Sequence, residues 1–160
     1  MVQELHNIQI DGNYKLITLD IKDLYVNLPI QSIIRTTRFW LNKGNHDKII
    51  TEQVSYILEI ILKQNYFQYN HQYYQPNKGI AMGSPISSML AEIYLQYLEE
   101  ICIKHWMESR EIIMCKRYVD DILIIYDQTK TDETTVHNTI NNTDENLEFK
   151  MTTEEYHIIS

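Results

Sequence analysis

The amino-acid sequence predicts an α+β protein in which an antiparallel sheet packs on two to three helices. Apolar residues recur every three to four positions in three segments, which is the period of a helix with one buried face. Short β-branched and aromatic runs lie before, between and after these segments, and such runs are typical of strands. Because helices and strands are mixed without strict alternation, the pattern favours an antiparallel sheet.

Each of the three helices is predicted from an apolar stripe at helical spacing. The first covers about residues 30–43. The third is opened by Ser84 and Pro85, which suit the N-cap and the first helical position. The stripe of the second helix consists of Val54, Ile57, Leu58, Ile61 and Leu62. The buried stripe of the third is predicted to be Ile86, Met89, Leu90, Ile93, Tyr97 and Ile101.

Seven short runs are predicted to be strands. They cover residues 15–20, 66–69, 72–75, 112–114, 122–126, 147–151 and 156–159. The second and third runs flank Asn70-His71 and predict a small hairpin. The polar segment 129–146 is predicted to be a solvated helix or loop.

Size and composition suit one ordinary globular domain, since the chain has 160 residues of which 44% are hydrophobic. No apolar window reaches the length of about 18 residues that a membrane span needs. The N-terminus has no basic segment followed by an apolar run. We therefore expect an intracellular protein of the nucleus or cytoplasm, not secreted and without a membrane partner.

Two adjacent carboxylates, Asp120 and Asp121, lie between apolar strands where a hairpin turns. Like charges side by side are costly unless a cation neutralises them. Mg²⁺ is held in proteins by few carboxylates together with phosphate oxygens of the substrate. Since Asp is also a common turn residue, an ordinary structural turn is the alternative for this pair.

Asp20 ends another apolar strand, and it can face the Asp120-Asp121 turn if the two strands are neighbours. Three carboxylates could then hold two divalent ions about 3.5–4 Å apart, as in-line phosphoryl transfer requires. The sequence therefore predicts a centre with two Mg²⁺ or Mn²⁺ ions at these three aspartates. Taken alone, Asp20 fits a turn or a helix N-cap better than a catalytic role.

Residues 78–85, Lys-Gly-Ile-Ala-Met-Gly-Ser-Pro, lead directly into a predicted helix. Glycine permits a close approach of the backbone to a ligand, and helix N-termini favour anions. This glycine loop could therefore pack against a nucleotide or a base pair. It lacks the spacing of the dinucleotide-binding and P-loop motifs, and an ordinary capped loop is the alternative.

The net charge of −8 is unfavourable for a protein that binds nucleic acid, since phosphate contacts use clustered Lys and Arg. The 12 tyrosines suit strands and could also stack on bases. Cys102 and His105 have the spacing of a metal pair, but only Cys115 offers a third ligand nearby. A zinc site is therefore disfavoured, and core thiols are the favoured interpretation.

Taken in order, these motifs resemble those of the reverse transcriptases. Tyr118-Val119-Asp120-Asp121 matches the Phe/Tyr-x-Asp-Asp motif of that family. The stretch from Leu19 to Tyr25 matches the upstream Asp motif, and Gly83-Ser84-Pro85-Ile86-Ser87 matches the Gly-x-Pro-x-Ser motif. The motifs are most similar to those of Penelope-like retroelements, with telomerase a more distant relative. The resemblance covers about residues 14–155 and predicts the palm of a polymerase.

The resemblance implies an RNA-directed DNA polymerase that uses an RNA template, a DNA primer and dNTPs. Asp20, Asp120 and Asp121 would be its catalytic and metal-binding residues, with Asp121 less directly bound. The Ile21 carbonyl could complete a metal shell, and Tyr25 would be a steric gate against a ribose 2′-hydroxyl. The other implied nucleotide-binding residues are Met82, Gly83, Ser84 and Pro85. Lys150 loosely matches a later lysine motif, although a solvated strand lysine is favoured there.

Family members carry fingers before the first Asp motif, and a primer grip and thumb after the last one. Since only 19 residues precede Asp20, we expect one partial domain, a palm core over residues 1–160, without robust processive activity. A catalytically dead or co-opted fragment that only binds nucleic acid is one alternative. A nucleotide cyclase or phosphodiesterase with a similar palm is another, but it would not need Tyr25 or Gly83-Ser84-Pro85.

Overall fold

The computed structural model describes residues 12–153, except for the side chains of Cys102, His105 and Thr153. These residues divide into two compact units. The first comprises residues 12–22 and 98–153, and the second comprises Asp23–Tyr97. The structure contains an antiparallel four-stranded sheet, and helices alternate irregularly with its strands along the chain. This confirms the predicted α+β class.

Six strands and six α-helices are described. The strands are β1 (Tyr14–Lys22), β2 (Phe67–Tyr69), β3 (Gln72–Tyr74), β4 (Ile112–Tyr118), β5 (Asp121–Asp127) and β6 (Glu148–Thr153). The helices are α1 (Leu24–Asn27), α2 (Ile30–Lys43), α3 (Lys48–Lys63), α4 (Ser87–Leu98), α5 (Lys104–Ser109) and α6 (Glu133–Asn141). A π-helical segment, Glu99–Ile103, lies between α4 and α5. The predicted strand at residues 156–159 lies outside the described residues.

The sheet of the first unit has the strand order β4-β5-β1-β6, with every pair antiparallel. On β1 the side chains of Ile17, Leu19 and Ile21 are buried, while Asp20 between them is exposed. This alternation follows from the period of two along a strand. It directs one face of β1 into the core and the other face towards solvent.

The predicted polar segment contains α6, which packs against the edge strand β6. Asp132 caps this helix by accepting a hydrogen bond from the Thr135 backbone N at 3.0 Å. The Asn141 side chain accepts from the Phe149 backbone N at 2.9 Å, and His137 Nε2 lies 2.7 Å from the Phe149 carbonyl oxygen. Side chains of α6 thus form hydrogen bonds with backbone groups on the outer edge of β6. Without these bonds, that edge would be free to pair with another strand.

In the second unit, α2 has the predicted bounds, but the buried face of α3 differs from the prediction. Val54, Ile57 and Ile61 were expected in its buried stripe, and they are exposed. The buried residues of α3 are Thr51, Ser55, Leu58 and Leu62. Ser55 tolerates burial because its hydroxyl donates to the Thr51 carbonyl oxygen at 2.7 Å, so the hydroxyl keeps a hydrogen-bond partner.

Helix α4 begins at Ser87, three residues after the predicted N-cap at Ser84. Before it, the Ser87 N–H bonds to the Ser84 carbonyl oxygen at 3.1 Å, and the first helical bond runs from Leu90 to Ile86. Residues 84–86 are therefore a turn. Two members of the predicted stripe are exposed, namely Met89 on α4 and Ile101 in the π-helical segment. The wider turn of that segment shifts the face on which Ile101 lies. The buried residues of this helix are Ser87, Leu90, Ala91, Tyr94, Leu95 and Leu98.

Within residues 12–153, none of the helices combines the length and apolar character that crossing a membrane requires.

Cys115 on β4 provides a test of packing in the first unit. Burial raises the pKa of its thiol to about 12, and the Glu99 carboxylate acts in the same direction. At pH 8 this lowers the thiolate fraction roughly 1000-fold relative to an ordinary cysteine. We therefore expect iodoacetamide to leave Cys115 unmodified in the folded protein and to alkylate it in urea, because the thiolate is the nucleophile.

Mass spectrometry of the peptide that contains Cys115 measures this modification. Equal alkylation rates with and without urea would contradict the buried position of the thiol.

Candidate active site

A row of four side chains crosses the exposed face of the four-stranded sheet. The register pairs Tyr118 of β4 with Asp121 of β5. It also pairs Asp121 with Asp20 of β1, and Asp20 with Lys150 of β6. Residues directly opposite each other in antiparallel strands share a face, with Cβ atoms about 4.5–5.5 Å apart. All four residues are exposed, so the row presents two neighbouring carboxylates between a phenol and an ammonium group.

The neighbours of Asp20 in sequence hold its carboxylate on this face. Leu19 and Ile21 are almost completely buried, so the residue between them must face solvent. Asp121 is held in the same way by Ile122, which is buried. The two carboxylates are thus placed side by side through burial of their apolar neighbours, without any direct attraction between the two acids.

The turn that joins β4 to β5 has a strained backbone. Its two residues are Val119 and Asp120, and Val119 has a φ of 57°. Positive φ in a β-branched residue is a rare conformation, and such strain costs roughly 1–3 kcal/mol. The turn must therefore be held by other contacts.

Two hydrogen bonds hold this turn. Arg117 Nη1 donates to the Val119 carbonyl oxygen at 3.0 Å, and the Ile21 backbone N donates to the Asp120 carbonyl oxygen at 3.1 Å. Arg117 also forms an ion pair with Glu99, the first residue of the π-helical segment, with Nε to Oε1 at 2.5 Å. The Arg117 side chain is only 7% exposed. Packing around the Arg117 side chain restricts its orientation. Arg117 therefore holds the acidic turn in place through its hydrogen bond to Val119.

The donor set fits a divalent cation in part. Asp20 and Asp121 face each other across the sheet, and Mg²⁺ uses one or two carboxylates together with phosphate oxygens of a substrate. Asp120 lies in the turn and is half-buried. Within the described part of the chain, no three His, Cys, Asp or Glu side chains are grouped so that they could hold a metal ion. The pair suits one cation shared with a substrate, and the predicted three-aspartate centre stays a prediction.

Of the predicted nucleotide-binding residues, Ile21 lies on β1 in the first unit. The others belong to the second unit, where the glycine loop lies against α1. The Ile80 N–H donates to the Tyr25 carbonyl oxygen at 2.8 Å. At Gly79, whose φ is 81°, a Cβ atom would lie 2.4 Å from the Val26 carbonyl oxygen. Only glycine fits there. The Tyr25 hydroxyl lies 3.5 Å from Ser88 Oγ, so Tyr25 is linked both to the loop and to the start of α4.

The rest of the glycine loop is open. A Cβ atom at Gly83 would meet nothing within 4 Å, although its φ of 85° is strained for other residues. Met82 is exposed. Ser84 and Pro85 line a cleft of about 380 Å³. The two glycines therefore have different roles. Gly79 allows the loop to pack closely on α1, whereas Gly83 leaves open space beside the loop.

Two contributors, Arg117 and Glu99, were not identified from the sequence as parts of the site. They become partners only through the fold, and the sequence carries no local signal for their pairing. Lys150, which loosely matches a later lysine motif, is exposed on β6, and the register places it directly beside Asp20. The sequence disfavours a zinc site at Cys102 and His105. The structure does not describe the side chains of these two residues, so this expectation stays a prediction.

An antiparallel sheet with carboxylates at a hairpin turn and on the adjacent strand is the arrangement of a polymerase palm. The chain belongs to the reverse transcriptase (RNA-dependent DNA polymerase) family, whose sequence profile matches residues 2–158. No curated protein matches the chain.

Solved telomerase structures share this fold. The chain is similar to apo telomerase from Candida tropicalis, with a TM-score of 0.73 and 13% identity over 95% of this chain and 30% of that chain. It is also similar to telomerase from Candida albicans in complex with a TWJ fragment of telomeric RNA, with a TM-score of 0.66 and 14% identity. That alignment covers 97% of this chain and 30% of the telomerase. At such identities the likeness shows the fold, and the expected similarity to Penelope-like retroelements stays a prediction.

Replacing Arg117 by Met is expected to lower the free energy of unfolding by about 2 kcal/mol, because hydrogen bonds to charged groups contribute roughly 1.5–3 kcal/mol. The strained turn then loses its support at Val119. Urea denaturation followed by circular dichroism measures the change. The matched control is Lys104→Met, which breaks the exposed pair between Lys104 and Glu100 and should cost at most about 0.5 kcal/mol. Equal losses in the two variants would show that Arg117 does not hold the turn.

Proposed function

We propose that this chain is the catalytic palm of an RNA-directed DNA polymerase, which adds dNTPs to the 3′-hydroxyl of a DNA primer along an RNA template. Membership of the reverse transcriptase family supports the class of reaction. The observation that carries the proposal is the cross-strand pairing of Asp20 with Asp121 beside Lys150. Two like charges kept in register on an exposed face serve no packing purpose, and a cation is what they can bind.

In this proposal Asp20, Asp120 and Asp121 hold two Mg²⁺ or Mn²⁺ ions, and the Ile21 carbonyl completes their ligands. The pairing of Asp121 with Asp20 favours a direct contact of Asp121 with an ion, in contrast to the less direct role that the resemblance implies. When bound, such ions lower the pKa of the attacking hydroxyl and stabilise the departing pyrophosphate. The carboxylates orient the reacting groups, since their strand positions are rigid. Lys150 presents its ammonium beside Asp20, where it can donate a proton to a pyrophosphate oxygen.

The second unit would bind the nucleotide and the template. Tyr25 is anchored through its carbonyl and its hydroxyl, so its ring can act as a rigid gate against a ribose 2′-hydroxyl. Gly83 has no neighbour where its Cβ would be, which leaves space for a base or sugar against the loop. Met82, Ser84 and Pro85 are the flanking contacts. RNA, primer and dNTPs are intracellular substrates, in keeping with a nuclear or cytoplasmic protein.

A palm that binds nucleic acid without catalysis is not favoured by the geometry. Such a protein would gain nothing from exposed carboxylates at Asp20 and Asp121, because they repel phosphate groups unless a cation lies between them. The two functions differ in one measurable respect, which is the need for a divalent ion.

Replacing Asp20 or Asp121 by Asn is expected to weaken Mn²⁺ binding at least about tenfold, because each change removes a full negative charge next to the ion. Electron paramagnetic resonance of free Mn²⁺ measures the titration. The matched control is Asp127→Asn, since Asp127 lies at the other end of β5 opposite Tyr14, and it should bind as the wild type does. Asp120→Asn shows whether the turn aspartate shares the ion. Unchanged binding in both the Asp20 and Asp121 variants would contradict the site.

Extension of a labelled DNA primer by one nucleotide on an RNA template tests the reaction. We expect slow extension that requires Mg²⁺ or Mn²⁺ and is abolished in Asp20→Asn. Gel electrophoresis of single-turnover reactions provides the readout. If the wild type binds Mn²⁺ and RNA but never extends the primer, the polymerase proposal is wrong and the binding-only alternative holds.

A further inference from the structure

The hairpin of the second unit exposes aromatic rings on one face. Register pairs Phe67 with Tyr74 and Tyr69 with Gln72, so these four side chains share a face. We call them the ring face. Tyr73 pairs with Gln68 and lies on the opposite face. Both faces of the hairpin are exposed.

The rings of this face contact one another. Phe67 and Tyr74 stack, with centroids 5.6 Å apart and an angle of 22° between their planes. Tyr69 lies 6.5 Å from Tyr74 at 56°. The Tyr74 hydroxyl donates to Gln72 Oε1 at 2.9 Å. The exposed fractions of Phe67, Tyr69 and Tyr74 are 52%, 70% and 40%, so flat ring surfaces remain accessible.

The backbone of the hairpin is fixed at both ends. Its turn residues, Asn70 and His71, have φ values of 54° and 62°, which match the twist of a tight two-residue hairpin. At the base, Gln75 Nε2 donates to the Lys63 carbonyl oxygen at the end of α3, at 2.8 Å. Rigid rings lose little conformational entropy on binding a ligand.

The charge around the hairpin differs from that of the whole chain. From Ile60 to Ala91 the sequence has no Asp or Glu, although the chain carries 22 acidic residues and a net charge of −8. Lys63, His71 and Lys78 lie within this acid-free stretch. Lys63 forms an ion pair with Glu59 at 2.7 Å, while the hairpin itself carries no negative charge that would repel a polyanion.

The hairpin is also continuous with the glycine loop. The cleft of about 380 Å³ is lined by Asn65 and Tyr66, which precede β2, and by Ala81, Ser84 and Pro85 of the glycine loop. Its volume is in the range of small-molecule sites, about 300–1,000 Å³. The glycine loop and the segment that leads into the hairpin thus share one cleft.

We propose that the ring face binds single-stranded RNA by stacking unpaired bases on Phe67, Tyr69 and Tyr74. Proteins bind unpaired strands by stacking the bases on aromatic side chains and by holding the backbone in a positively charged groove. Here the acid-free stretch supplies His71 and Lys78 as basic residues. Gln72 adds an amide that can bond to base edges. The assignment of this strand as the unpaired template rests on the polymerase function proposed above.

Binding of fluorescein-labelled oligouridine to the full chain, measured by fluorescence anisotropy with EDTA present, tests the proposal. Tyr69→Ala is expected to weaken binding about tenfold, since each stacked base contributes roughly 1–3 kcal/mol. The matched control is Tyr73→Ala, which removes a tyrosine that is 75% exposed on the opposite face and should leave affinity unchanged. Circular dichroism confirms that both variants are folded.

Three results would overturn the proposal. They are equal affinity of wild type and Tyr69→Ala, equal losses in the Tyr69 and Tyr73 variants, and equal binding of duplex and single-stranded RNA. Self-association that Tyr69→Ala abolishes would assign the ring face to a protein partner instead. Because EDTA removes divalent ions, this binding assay does not depend on the metal centre, which the Mn²⁺ titration of the Asp20 and Asp121 variants tests by itself. Failure of the ring face and failure of the polymerase centre are thus separate outcomes.

Discussion

β1 and β5 pair in one continuous antiparallel register, from Tyr14 opposite Asp127 to Asp20 opposite Asp121. Side chains alternate along a strand, so a slip of one residue would bury Asp20 and expose its apolar neighbours. Each fully buried large apolar side chain contributes about 1.5–3 kcal/mol, and β1 buries Ile17 together with the two neighbours of Asp20. The hydrophobic burial that folds the sheet therefore also holds two carboxylates side by side.

Two features of this arrangement oppose folding, namely the repulsion between the carboxylates and the strained backbone of Val119. Both lie at the end of the β4–β5 hairpin. Arg117 offsets part of this cost, because it bonds to the Val119 carbonyl oxygen and pairs with Glu99. Local departures from favourable geometry that the surroundings stabilise are common at functional sites. The π-helical segment that carries Glu99 is a further departure of this kind.

The distribution of charge reconciles an acidic chain with the proposed binding of RNA. In the first unit the acids include Asp20 and Asp121, which suit a cation. In the second unit the stretch from Ile60 to Ala91 carries no acidic residue, and it contains both the glycine loop and the aromatic hairpin. Net charge describes long-range attraction, whereas a binding surface depends on the charges nearest to it. An overall charge of −8 is thus compatible with one surface for metal and another for RNA.

Local patterns were sufficient for the types of most elements, because periodicity depends on near neighbours in the chain. They predicted β1, α2, the aromatic hairpin and the strands around Asp120, and they identified the three aspartates as candidates. They did not predict which face of α3 is buried or that α4 begins at Ser87, since packing against distant segments decides both. The sequence by itself determined the fold class and the candidate acids. Only the tertiary structure decided that Asp121 stands opposite Asp20 with Lys150 beside it, because strand register arises from burial and pairing between residues far apart in sequence.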